Sequence, residues 1–126
     1  MEKPAVLAAL AALAQETRLD IFRLLVETGP AGLPAGRIAQ RLGLASATLA
    51  FHLKELKVAG LATVRRDGRS LIYAAAYPRM NALLAYLTES CCQGNPAACA
   101  APQAAAKPVT QASPPQASPI RATRSA

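Results

Sequence analysis

The stretch Arg37-Ile-Ala-Gln-Arg-Leu-Gly43-Leu-Ala-Ser46-Ala-Thr-Leu-Ala-Phe-His-Leu-Lys-Glu-Leu56 decides the fold of this chain. Ile38, Ala39 and Leu42 recur at helical spacing before Gly43, a residue that ends helices because it enters the left-handed region without a Cβ penalty. Three residues later Ser46 stands as the expected N-cap of a longer helix whose core face is Leu49, Leu53 and Leu56, running to Ala59-Gly60. A short helix, a tight glycine-containing turn and a longer helix spell helix-turn-helix.

On the C-terminal side the period changes from helical to alternating. Leu61 to Arg66 and Arg69 to Ala74 flank Asp67-Gly68, a pair preferred in type I′ hairpin turns, so a basic hairpin follows the helix-turn-helix as a wing. Met80, Leu83, Leu84 and Leu87 then form one stripe of a last helix that ends near Cys91 and Cys92. On the N-terminal side Pro34 suits the first turn of the short helix. Ile21, Phe22, Leu24 and Leu25 give a helix opened by the capping-box spacing Thr17…Asp20 and stopped at Gly29-Pro30. Val6, Leu7, Leu10, Leu13 and Ala14 form the apolar stripe of a first helix. The expected fold is mainly α with a β-hairpin wing, a winged helix-turn-helix whose terminal helices are the spare surfaces for dimerisation. Residues 1–90 are expected to form the DNA-binding and dimerisation domain and 91–99 a cysteine segment; 100–126, rich in Ala, Pro, Ser and Gln without periodicity, reads as a disordered tail.

A chain of 126 residues has room for one compact domain and a tail. Without Trp and with few aromatic residues, its core rests on Leu, Ile, Val and Ala, which favours helices over a large sheet. Lys and Arg outnumber Asp and Glu by 14 to 7. Between positions 37 and 69, Arg37, Arg41, Lys54, Lys57, Arg65, Arg66 and Arg69 face only Glu55 and Asp67. Such a patch is either a solvated basic face or the footprint of a polyanion. The longest apolar run, Ala5 to Ala14, is too short to span a bilayer, so the expectation is a cytoplasmic protein with no membrane partner. An odd set of crowded cysteines, Cys91, Cys92 and Cys99, does not read as a disulfide framework, and reduced thiols are expected.

With Leu49, Leu53 and Leu56 inward, the longer helix turns Ala47, Phe51, Lys54 and Val58 outward, with Thr48 and Glu55 flanking. Phe51 is then either an isolated exposed apolar residue or a contact for a thymine methyl in the major groove; its neighbours favour the groove. Ser46 and Thr48 lie in the first turn, where hydroxyls reach base edges or phosphates; capping alone is the other reading of Ser46. His52 lies between the two faces and either bonds a phosphate or packs at the domain surface, with packing favoured. Lys54, Arg65, Arg66 and Arg69 supply phosphate affinity, and an arginine at the wing tip suits a narrow minor groove. One short helix reads few base pairs, so specificity calls for a homodimer on pseudo-palindromic double-stranded DNA.

The segments Ser46 to Leu56, Ala59-Gly-Leu, Arg65-Arg-Asp-Gly-Arg and Tyr73 closely resemble the ArsR (arsenical-resistance) family, over about Val6 to Cys99. The resemblance implies a repressor that occupies its operator when empty and leaves it on binding an inducer, with the terminal helices as dimer interface. This chain departs from two of the family's sites. The short helix lacks the cysteine pair that many arsenic-sensing members carry there, and the sole histidine, His52, cannot build the histidine-rich zinc site others place on the last helix. Cys91, Cys92 and Cys99 look like the arrangement in a subgroup of arsenic repressors with a cysteine cluster after the last helix.

Three thiolates without imidazole or carboxylate suit soft ions, so trivalent arsenic or antimony is the expected inducer, with no permanent cofactor. Gly94 and Pro96 let the chain turn to bring Cys99 towards Cys91 and Cys92. Structural zinc would want a fourth ligand from a partner chain or water. A buried helix end at Cys91 and Cys92, with Cys99 incidental, is the plain structural alternative. A second functional reading is a redox-sensing repressor, in which Cys99 is the natural disulfide partner because vicinal cysteines pair poorly. A small thiol-dependent reductase fits less well, since no βαβ pattern, phosphate loop or nucleophile–base pair accompanies the thiols; the expectation is that the chain is not an enzyme. Constitutive architectural DNA binding fits the charge and leaves the cysteines idle.

Overall fold

The computed structural model describes residues 1–94, which the backbone contacts divide at position 87 into Met1–Leu87 and the start of a second unit, Thr88–Ala126. In the first unit the order is α1 (Lys3–Leu13), α2 (Glu16–Thr28), β1 (Leu33–Pro34), α3 (Ala35–Leu42), α4 (Ser46–Val58), β2 (Ala62–Asp67), β3 (Ser70–Ala75) and α5 (Tyr77–Leu87). Ile21 and Leu25 of α2, Ile38 of α3, Leu49, Leu53 and Leu56 of α4, and Leu61 are the largest side chains that the fold buries completely. They meet where α2, α3 and α4 pack, so the helix-turn-helix is built directly on the core.

The ends of α4 show how local chemistry sets its length. Leu61 N–H donates to Leu56 O and Gly60 N–H to Lys57 O, the paired bonds of a Schellman ending, with Gly60 at φ 81°. Leu56 and Leu61 are both fully buried across that ending. At the other end Ala45, not Ser46, is the N-cap, and no side chain caps the helix; Ser46 is the first helical residue. The expected capping box at Thr17 is likewise displaced. The Gln15 side chain accepts from Arg18 N–H at 2.9 Å and caps α2 from two positions upstream. Pro34 sits one residue before α3, as its N-cap residue.

Four further features depart from or extend the expectations. In α1 the buried face is Val6, Ala9 and Ala12, whereas Leu7 and Leu10 are exposed. Small alanines let α1 lie close against α2 and α4, which turns the larger leucines outward. The wing is a three-stranded antiparallel sheet in the order β1-β3-β2, because Leu33 and Pro34 pair with Tyr73 and Ile72. Proline is tolerated there because β1 is an edge strand. In the hairpin Asp67 pairs with Ser70, so the two turn residues are Gly68 and Arg69, not Asp67 and Gly68. Only Gly68 has positive φ, the pattern of a type II′ turn and not of type I′. The last helix ends at Leu87, short of the cysteines, which lie in a separate 3-10 turn, Cys91–Gly94.

Candidate nucleic-acid interface and thiol pair

The outer face of α4 carries Ser46, Ala47, Thr48, Phe51 and Lys54, all exposed. Phe51 is 56% exposed although the residues on either side of its turn, Leu49 and Leu53, are almost completely buried. Lys54 lies one turn further along, and Arg37 and Arg41 of α3 are exposed nearby on the same motif.

The wing arginines are placed differently from one another. Successive strand residues point to opposite faces, so Arg65, opposite Ile72, and Arg66, opposite Leu71, face opposite ways. Ile72 is buried and Leu71 is exposed, which puts Arg66 on the outer face. Arg65 donates from its guanidinium to Ala31 O at 2.9 Å, bracing the wing against the loop after α2. Arg69 occupies the exposed turn at the wing tip.

His52 is set apart from the other expected DNA contacts. Its side chain is buried to 9% exposure, its ring lies edge-on to Phe51 with centroids 5.2 Å apart, and Nδ1 is 3.3 Å from an Arg18 guanidinium nitrogen. In the sequence Arg18 is one of several charged residues of α2. Three uses converge on it: its backbone N–H caps through Gln15, its Nε donates to Ala12 O at 2.8 Å, and its NH1 meets His52. No periodicity announces that arrangement.

In the second unit Cys91 N–H donates to Thr88 O at 2.9 Å and Gln93 N–H to Ser90 O at 3.2 Å. Ser90, Cys92 and Gln93 all have φ between 54° and 58°, in the left-handed region. Cys91 and Cys92 are both exposed, with sulfurs 3.3 Å apart. This corrects the alternative of a buried helix end. Cys99 lies outside the described residues, as does the expected tail. Among the described residues, no group of three or more His, Cys, Asp or Glu side chains is placed to hold a metal ion. Nor is any helix among them long and apolar enough to cross a membrane.

Residues 13–65 match a family model described as a helix-turn-helix domain. A curated relative, the uncharacterized HTH-type transcriptional regulator YceK of Bacillus subtilis (strain 168), is 36% identical over 59 residues. That match spans 47% of this chain and 58% of the relative, so the chain covers less than two thirds of the relative's length. Among solved structures, an ArsR-like transcriptional regulator from Rhodococcus sp. RHA1 superposes with a TM-score of 0.63 at 28% identity, covering 81% of this chain and 93% of that one. A homodimeric winged helix-turn-helix DNA-binding domain from Mycobacterium bovis, described as a possible ArsR-family regulator, superposes with a TM-score of 0.55 at 29% identity, covering 69% and 81%.

Proposed function

We propose that this winged helix-turn-helix regulator, which is similar to ArsR-like regulators, is a homodimeric repressor of the ArsR type that releases its operator when trivalent arsenic or antimony binds its cysteine thiolates. The observation that carries the DNA half of this reading is Phe51, held outward among Ser46, Thr48 and Lys54 on a helix whose opposite face is locked into the core. That helix reads the major groove, Arg66 and Arg69 hold phosphates or the minor groove beside it, and Arg65 chiefly stiffens the wing.

The inducer half rests on the paired sulfurs. With sulfur–ion bonds of about 2.3 Å, two thiolates 3.3 Å apart subtend roughly 90° at a shared ion, tighter than the tetrahedral angle zinc prefers. A pyramidal, three-coordinate soft ion accepts that angle, and Cys99, seven residues beyond Cys92, is the third ligand in this proposal. A ligand acts only through unequal affinity for two states. The thiol segment is joined to α5 through residues 88–90, and in this proposal closing it around an ion acts along that connection on a helix assigned to the dimer. The dimer assignment draws on exposed Leu7 and Leu10 of α1 and Leu84 and Leu87 of α5.

The same sulfur pair supports a second reading, release on oxidation of one of these thiols with Cys99 to a disulfide. The experiment is operator binding by the reduced protein, using the promoter DNA upstream of its own gene, with arsenite, antimonite, zinc and a mild oxidant titrated separately. Release by arsenite or antimonite alone, abolished in a Cys91→Ala, Cys92→Ala variant, is the expected result. Release by oxidant alone replaces the ion with a redox signal. Binding that ignores all four removes the thiol sensor and keeps the DNA-binding protein.

A further inference from the structure

Tyr77 ties the first residue of α5 to the last turn of α2, and about one turn further along α5 a cavity of about 280 Å³ lies between the two helices. Phe22 and Val26 of α2 form one wall and Met80 and Leu83 of α5 the other, with Leu13 at the end of α1 and Leu61 completing the lining. Phe22, Leu61 and Leu83 are almost completely buried, so the cavity reaches into the core, and the exposed Leu84 stands at its mouth. A concave, largely apolar recess with a few polar groups at one place is the form that small-molecule sites take.

The polar side chains of the lining, Arg23 and Glu27, stand one turn apart on α2, mostly exposed and 3.5 Å from each other. Because that pair carries both signs, an entering anion meets the Glu27 carboxylate and an entering cation meets the Arg23 guanidinium. Beyond them the apolar walls strip a ligand of its water and give a charge nothing in return, so the cavity selects against charge. Size sets the other limit. An apolar cavity of about 150 Å³ takes up benzene, so one of about 280 Å³ has room for two fused rings. Met80, unbranched and polarizable, adapts its shape to a flat ring and makes a favourable sulfur contact with its edge.

We propose that this cavity is a binding site for a small uncharged aromatic molecule of about two fused rings, with at most one hydrogen-bond donor, which it turns towards the Glu27 carboxylate at the mouth. The site is separate from the thiols and from the outer face of α4, neither of which contributes to its lining. Its walls bring together α2, which packs on the recognition helix, and α5, assigned here to the dimer, so a molecule seated there bears on both.

The chain has two methionines, Met1 and Met80, so methyl-labelled methionine gives two signals in the intact protein, one of them on the cavity wall. Indole is the probe, with indole-3-acetate and tryptamine as its anionic and cationic counterparts. Indole is expected to shift the Met80 methyl signal saturably, reaching half the shift below about 1 mM, and to leave Met1 in place. Both charged counterparts are expected to bind at least about tenfold more weakly. Val26→Phe fills the cavity from the α2 wall and Leu84→Trp closes its mouth from α5; each is expected to abolish the indole response while the Met80 signal stays that of a folded protein. If neither variant folds, the contrast between indole and its charged counterparts in the parent decides. A Met80 signal unmoved by indole, or moved no more than Met1, overturns the proposal, as does equal binding of the charged counterparts or a response that survives both substitutions. A Met80 signal that ignores indole and shifts on dilution of the protein gives the cavity to a second copy of the chain, which overturns the proposal as well. No operator enters the experiment, so its outcome is independent of the DNA-binding reading.

Discussion

The Tyr77 hydroxyl, at the first residue of α5, donates to Val26 O at 2.9 Å in the last turn of α2. It lies 3.3 Å from Leu25 O as well, so one phenol serves two carbonyls at a helix end where intrahelical partners run out. Through this bond the last helix, assigned here to the dimer, is anchored to the core of the helix-turn-helix. Tyr77→Phe keeps the ring packing and strands those carbonyls. Urea unfolding should show a loss of about 1 kcal/mol.

Gly32 and Gly43 share a positive φ, 75° and 65°, and differ in what surrounds them. A Cβ at Gly43 meets nothing, whereas one at Gly32 collides with the Tyr73 carbonyl where β1 meets β3. Gly43→Ala should cost about 1–2 kcal/mol from backbone strain alone. Gly32→Ala should cost clearly more and loosen the third strand, seen as faster amide exchange at Leu33.

Phe51 and Leu53 are two residues apart and should give opposite phenotypes. Leu53→Ala opens a cavity at a site 1% exposed, with an expected loss of about 2–5 kcal/mol in thermal or chemical unfolding. Phe51→Ala should leave stability within about 0.5 kcal/mol and weaken specific operator binding several-fold, measured by fluorescence anisotropy on matched specific and random duplexes.

The wing arginines separate by salt dependence. Arg69→Ala, at the exposed tip, should reduce the slope of log affinity against log salt by about one and leave the melting temperature in place. Arg65→Ala removes the bond to Ala31 O, so its larger effect should be a drop in stability of about 1 kcal/mol.

Leu7 on α1 and Leu87 on α5 are 59% and 55% exposed. If these helices form the dimer interface, Leu7→Glu or Leu87→Glu buries a charge there, and sedimentation should show monomers that bind the pseudo-palindrome far more weakly than the parent. Dimers of undiminished affinity would place the interface elsewhere.

Much of this molecule was legible in the order of its residues. Leu49, Leu53 and Leu56 recur so regularly, and Gly43 and Gly60 punctuate so sharply, that α4, its buried side and the outward turn of Phe51 follow from helical geometry alone. The hairpin follows from a change of period and a glycine at its tip. What those patterns report is local: which face of an element is apolar and where the backbone turns.

The remaining features needed elements brought together from a distance. Whether α1 buries its leucines or its alanines depends on how closely α2 and α4 approach, and close approach favours the alanines. Leu33 and Pro34 became a strand because β3 offered them an edge. Arg18 reads in sequence as one more exposed helical cation, and it became the link between α1, α2 and α4 because folding brought a carbonyl six residues away and an imidazole 34 residues away within reach of its two ends. Periodicity decides which side of a helix is buried, and only packing in three dimensions decides which polar groups meet there.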